Sequence, residues 1–260
     1  MKLSALILTA NEQEMIGDCL VQLTFVDEII VLDQNSEDQT VNIAKKYTSQ
    51  VFKSTHTHFD KNRNLLASMA HGQWLLYIDA DERLTPQLVA EIKEAISRHK
   101  AECSAFYFPR KNFILGRWAK HGGWWPDYVP RLFKRSTLTG WHGAVHESPQ
   151  IIGQYGYMSN PIIHLTARSL DQMLQKSIKW AKIEAKLHSK RRQSPVTIFK
   201  VIKYSTGQFF YRYIVKLGCL DGILGLINAI YQAIHGAIVM VYLWEIQNDT
   251  KRHNLNAKYI

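Results

Sequence analysis

The sequence predicts an α/β fold: a mainly parallel, doubly wound sheet followed by a helical C-terminal region. Three observations predict it. Near-continuous apolar runs at Leu3 to Thr9, Glu28 to Asp33 and Trp74 to Ile78 have the pattern of strands covered on both faces. Helix-patterned segments separate them, and strand–helix alternation over roughly the first hundred residues implies a parallel sheet. From Gly222 to Trp244 no residue carries a formal charge, a run suited to a long apolar helix.

Taken in order, Leu3 to Thr9 is the first strand. It is too short for a targeting segment and runs directly into Asn11 and Glu12. Asn11 as cap with Glu14 at the third position predicts a helix through about Leu23. Glu28 to Asp33 is the second strand, Gln34 to Asp38 a loop, and Thr40 to Tyr47 a short helix. Val51-Phe52 is a short strand. A helix around Asn62 to Ala70 follows, then the strand ending at Ile78. Thr85-Pro86 pairs a capping hydroxyl with a proline suited to the first helical position, and starts a helix to about His99. Ala105 to Pro109 is a strand. The stretch 110–160, rich in Trp, Gly and Pro, reads as long ordered loops.

The 260 residues carry 32 Lys and Arg against 22 Asp and Glu, a formal net charge of +10. An anionic partner is implied. From Asp171 to Lys216 there are eleven basic residues and two acidic ones, so nearly the whole excess sits there. No nucleic-acid-binding motif accompanies it. Beside the uncharged run it reads as attraction to an anionic membrane surface. Asn228, Gln232 and His235 recur at helical spacing, which favours amphipathic helices lying in the interface; a buried core helix and a true span are the alternatives. Cys19, Cys103 and Cys219 show no metal spacing and read as reduced cytosolic thiols.

In doubly wound sheets, ligands collect beyond the carboxyl ends of the strands. Here those ends carry Thr9, Asn11 and Glu12, then Asp33, then Asp79 and Asp81, which are expected to converge on one crevice. In extended chain, Asp79 and Asp81 face the same side. Two carboxylates so placed suit Mg2+ or Mn2+, whose shell phosphates and water complete; a solvated turn before the Thr85 helix is the structural alternative. No P-loop and no G-x-G-x-x-G is present, so a metal and cations must handle any phosphate. The order His142-x-x-x-His146-Glu147 is not that of zinc proteases, and Gly143 and Pro149 argue against a helix there. Trp124, Trp125, Tyr128, Arg131 and Lys134 lie in one aromatic, basic stretch suited to sugar rings and an anionic acceptor, or else to a core.

The segments "LILTANEQEMIGDCL", "DEIIVLDQNSEDQTVNIA", "KNRNLLASMAHGQWLLYIDADERL" and "WHGAVHE" resemble the family 2 inverting glycosyltransferases of the GT-A fold. The resemblance covers roughly residues 1–165 as a Rossmann-like catalytic domain and leaves 166–260 as a basic, amphipathic, membrane-associating helical region. The 110–165 stretch and the tail are similar to bacterial lipopolysaccharide inner-core β-1,4-glucosyltransferases. The resemblance implies a UDP-sugar donor, most simply UDP-glucose, a divalent cation and a lipid-linked acceptor at the inner face of the cytoplasmic membrane. Thr9, Ala10, Asn11 and Glu12 would form the first nucleotide loop and Asp33 would bind the uridine. Arg63 and Asn64 would lie near the base and diphosphate, and Asp79 on the ribose or metal side. Asp81 would be the principal metal ligand, with His164 completing the shell. Glu147 would be the catalytic base. Trp124, Trp125, Arg131 and His146 would meet the acceptor. Gln34 and Asn35 stand where the family's common D-S-G-S-x-D-x-T pattern has Ser and Gly. A polyprenyl-phosphate, capsule or teichoic-type acceptor, and a non-catalytic membrane-associated binding protein, are the competing readings. A nucleotidyltransferase would carry a glycine-rich basic loop near the first strand, which this sequence lacks.

Overall fold

In the computed structural model, residues 2–56, 58–97, 103–143, 147–190 and 194–256 are described. The alternation of side chains along buried strands organises the first unit, residues 1–111 and 126–165. Strand β1 (Leu3–Thr9) is buried at every position. Leu6 and Leu8 enter one apolar cluster, Ala5 and Ile7 another. Strand β2 (Glu28–Asp33) repeats this, with Ile30 and Leu32 on the first side and Val31 on the second. In β4 (Trp74–Asp79), Leu75 and Tyr77 join that first side, while Leu76 and Ile78 pack with Leu88 and Ile92. Both faces are thus covered, as continuous apolar runs require.

Helix α1 (Ile16–Val21) packs Ile16 and Leu20, and α2 (Thr40–Ala44) packs Ala44, on one face. Helix α3 (Phe59–Met69) packs Leu66 on the other. The short β3 (Val51–Lys53) closes the edge, giving the parallel order β3-β2-β1-β4. After β4 come β5 (Glu82–Leu84) and α4 (Pro86–Ser97).

Two expectations change. The first helix starts at Ile16 rather than after Asn11, because Asn11 takes φ of 54° and breaks the turn. The stretch 110–160 is mostly strand rather than loop. Strand β6 (Cys103–Ile114) is followed by β7 (Arg117–Trp118), β8 (Asp127–Lys134), β9 (Leu138–His142), β10 (Ser148–Ile151) and β11 (Gln154–Tyr157). Strand β8 lies antiparallel between β4 and β6, so the sheet is mixed. Strands β9 and β10 form a separate antiparallel pair. Strand β12 (Ile162–Ala167) pairs antiparallel with β5.

The second unit comprises residues 112–125 and 166–260. Its helices are α5 (Leu170–Lys190), α6 (Ile198–Phe210) and α7 (Ile223–Asn256), with a π-helical turn at Tyr211–Val215 and a 3-10 turn at Gly218–Asp221. Ala181 and Ala185 of α5 pack on Val239, Met240 and Leu243 of α7. The polar face of α7 points inward. Tyr231 and His235 bond Ser177 of α5, and Asn228 is buried. Ile223, Ile230, Ile234, Val241 and Trp244 are exposed instead. Helix α7 is long and apolar enough to cross a membrane by length and composition.

Candidate active site

The register of β1 and β2 places Thr9 opposite Asp33 at the carboxyl end of the sheet. Both are buried. The Asp33 carboxylate accepts the Ser36 N–H at 2.9 Å and the Ser36 hydroxyl, closing the loop after β2 on itself. The two loops are then stitched together. Asn11 donates its N–H to Ser36 Oγ and accepts from Glu37 N–H, each at 2.8 Å. Glu12 N–H donates to Thr40 Oγ1 at 2.8 Å, and Gln13 N–H to Asp38 at 3.1 Å. Asn35 adopts φ of 57°, the left-handed region that asparagine tolerates better than other non-glycine residues. This explains how the loop closes without the family's glycine. Exposed Ala10 lies between the buried Thr9 and the bonded Asn11. The Thr9 hydroxyl is buried and has no hydrogen-bond partner among the described residues. A buried polar atom left so is stabilised when a ligand supplies the partner.

At the end of β4, three carboxylates have different fates. Glu82 is fully buried and pairs with Arg131 at 2.5 Å and Arg110 at 3.8 Å; it also accepts the Asp79 N–H at 3.1 Å. Asp79 pairs with Arg131, and with Arg63 at 3.5 Å. Burial pushes the Asp79 carboxyl up, but the two guanidiniums outweigh it and hold it well below the usual carboxylate range. Asp81 carries the pair left over, with its Oδ2 3.3 Å from His164 Nε2 in β12. The pairing of β12 with β5, which sets His164 opposite Glu82, makes that approach.

Arg63, on α3, is the hub. Its Nε donates to Glu147 Oε1 at 2.8 Å while its Nη2 meets Asp79. The guanidinium lies 4.8 Å from the Trp141 ring centre and 5.6 Å from that of Tyr77. Such stacking fixes a planar cation. Asn64 engages the backbone of Trp141. Its amide donates to Trp141 O at 2.9 Å and accepts Trp141 N–H at 2.8 Å, clamping the β9–β10 hairpin that precedes and follows Glu147.

Arg131 requires a correction. Expected to meet an acceptor, it is buried and its guanidinium is taken by Asp79 and Glu82. Trp124 and Trp125 belong to the second unit. Trp124 packs beside Ile114, Ala119 and Leu224, and Trp125 meets Trp118 edge-on at 5.6 Å. His146 lies outside the described residues. Sequence reasoning missed Arg110 and Trp141. No local pattern marks either, since each meets its partner, Glu82 for Arg110 and Arg63 of α3 for Trp141, only through the tertiary fold.

Among the described residues no group of three or more His, Cys, Asp or Glu is placed to hold a metal ion. The donor set available is the Asp81–His164 pair. Neighbouring ligands of an octahedral ion at ~2.1 Å stand about 3 Å apart, so a separation of 3.3 Å fits two corners of such a shell. Mg2+ or Mn2+ would take its other ligands from water and a diphosphate.

Strand-end loops stitched around a buried hydroxyl and an acidic pair, on a sheet wound this way, suit a nucleotide-sugar. The model of the family described as "Glycosyl transferase family 2" matches residues 4–149. The chain belongs to that family. An uncharacterised glycosyltransferase of Rickettsia conorii is 23% identical over 88% of this chain and 85% of its own. The lipopolysaccharide core biosynthesis glycosyltransferase LpsC of Rhizobium meliloti is 22% identical over 98% and 94%. A match to an uncharacterised Rickettsia prowazekii glycosyltransferase is 34% identical and spans 39% of this chain but only 35% of that relative. The structure of S. aureus TarS residues 1–349, in complex with UDP-GlcNAc, resembles this transferase with a TM-score of 0.50 at 13% identity, over 96% of this chain and 92% of that one. The fold is the GT-A type with an apolar C-terminal helix.

Proposed function

We propose that this transferase moves glucose from UDP-glucose, with inversion, onto a heptose of the lipopolysaccharide inner core. One observation carries the reading: Arg63 gathers Glu147 and Asp79 into one cluster at the end of β4, the strand that leads to the Asp81–His164 pair. The Thr9–Glu12 loop and Asp33 hold the uridine, with the Thr9 hydroxyl finding its partner there. A divalent cation held by Asp81 and His164 would neutralise the charge gathering on the leaving diphosphate. Arg63 fixes Glu147 Oε1, and Oε2, bonded to none of the described residues, receives the acceptor hydroxyl's proton. The hydroxyl oxygen forms its bond to the anomeric carbon as the bond to UDP breaks on the opposite face. Asp79, held ionised by its two arginines, orders Arg63 rather than binding the cation.

LpsC supports the acceptor, and the basic C-terminal unit suits a lipid-linked one at an anionic membrane. A teichoic-type acceptor is the second reading. It is favoured by the poly(ribitol-phosphate) β-N-acetylglucosaminyltransferase TarS of Staphylococcus aureus, 25% identical over 114 residues. A screen of UDP-sugars against heptose-terminated lipopolysaccharide and poly(ribitol phosphate), followed by UDP release, separates the two. Glu147→Gln is expected to bind UDP-glucose but not transfer it, and Asp81→Ala to lose Mg2+- or Mn2+-dependent turnover. Unimpaired transfer by Glu147→Gln rules out Glu147 as base, and metal-independent turnover removes the cation.

A further inference from the structure

The second unit contains an open cavity of about 620 Å3 that the transfer reaction does not use. That volume lies within the ~300–1,000 Å3 usual for small-molecule sites. Lys200, Lys203, Tyr204, Gly207 and Gln208 line it at the i, i+3, i+4, i+7, i+8 spacing of one face of α6. Met240 and Leu243 of α7 form the apolar floor, and His188 of α5 closes a side. No carboxylate among the described residues lines it. Lys200 Nζ is already bound to Ser194 and to the Pro195 carbonyl. The Lys203 ammonium has no partner among the described residues and is exposed at the rim.

Gly207 is the second observation. Glycine is unfavourable inside a helix and is usually kept where a neighbour presses on it. At Gly207 an added Cβ would meet nothing within 4 Å. Packing does not demand the glycine; its effect is to leave the cavity open. Exposed Ile198, Phe199 and Ile202 on the same helix add an apolar surface beside a cationic rim.

We propose that this cavity binds one anionic membrane lipid, its phosphate headgroup at Lys203 and its acyl chain along Tyr204, Met240 and Leu243. The charge at the rim and the apolar floor match the two ends of such a molecule. The proposal rests on the membrane reading of the C-terminal unit, but not on donor or acceptor.

The test uses the full-length protein in mild detergent with phosphatidylglycerol carrying a fluorescent chain, against phosphatidylcholine with the same chain. Saturable one-to-one binding of phosphatidylglycerol, about ten-fold tighter than phosphatidylcholine, is expected. Gly207→Leu fills the cavity with a better helix former, so it should fold yet lose at least ten-fold in affinity. Lys203→Gln should reduce phosphatidylglycerol binding to the phosphatidylcholine level. Equal binding of the two lipids, or a Gly207→Leu protein that binds like the parent, overturns the proposal. Displacement by millimolar inorganic phosphate alone also overturns it, since the headgroup would then suffice. One-to-one binding by a protein that does not float with anionic vesicles supports the cavity and overturns the membrane reading instead.

Discussion

Asp79 and Asp81 stand two residues apart and face different chemistry. The sequence marks both as a carboxylate pair at a strand end but does not assign them, because the deciding partners, Arg63, Arg131 and His164, arrive from α3, β8 and β12. Arg131 makes the point most sharply. Read locally it belongs to an aromatic, basic stretch; in the fold it is a buried cation between two carboxylates. Arg131→Ala is therefore expected to lose about 3–5 kcal/mol of stability, because Glu82 is left buried without its nearest charge. Chemical denaturation checks this. A protein of unchanged stability with only a weakened acceptor KM would return Arg131 to acceptor binding. Glu28 gives a pH signature. Burial would raise its carboxyl, but the His71 N–H, the Ser4 hydroxyl and the His71 ring outweigh it, bringing it to about 2 from 4.5. A depressed folded value means the stabilisation is present above 4.5 and is lost as pH falls towards 2. Glu28→Gln should cost on the order of 2–3 kcal/mol at neutral pH and flatten the stability curve across that window, as denaturation at pH 7, 4 and 3 would reveal. A variant with the parent's slope would place the titration elsewhere.

At the scale of elements, the doubly wound half was legible because its main strands are uninterrupted apolar runs, buried along nearly their whole length and locally bounded. Each of β1, β2 and β4 announces itself by composition alone. The strands of 110–160 were not legible, because Gly or Pro interrupts most of them and they form by pairing with residues far along the chain, as β8 does with β4 and β6. The β9–β10 hairpin shows why this matters to function. It holds Trp141, on which Arg63 rests, and leads to Glu147, and α3 secures it through the double hydrogen bond from Asn64. Asn64→Ala leaves the Trp141 N–H and C=O without these partners, at about 1–3 kcal/mol. Because the loss falls on the hairpin, kcat should drop and the melting temperature fall together, while KM for the donor nucleotide holds. A raised donor KM at unchanged stability would mean instead that Asn64 touches the diphosphate.

For the whole molecule, the charge asymmetry and the uncharged run predict a membrane-seeking tail; in the fold Tyr231 and His235 of α7 face α5, while Ile230, Ile234, Val241 and Trp244 face outward. The helix cannot be removed cleanly, since Val239, Met240 and Leu243 form a core with α5. The informative change is therefore on the surface. From the last residue of α6 to the first of α7, Phe210, Ile214, Val215, Leu217, Leu220 and Ile223 are all exposed, with Lys216 among them. Apolar tips beside a cation suit insertion at an anionic interface. Replacing Ile214, Val215, Leu217 and Leu220 with Ser removes contacts to no core cluster, so the fold should persist. Flotation with phosphatidylglycerol vesicles should fall at least ten-fold in this variant. In the parent it should weaken as salt rises from 0.05 to 0.5 M, as roughly Debye-screened attraction requires. Turnover of a water-soluble, lipid-free acceptor fragment should be unchanged, because none of the four residues lies in the first unit. Flotation that survives both the substitutions and high salt would make α7 itself, not the turn before it, the element that holds the enzyme to the bilayer.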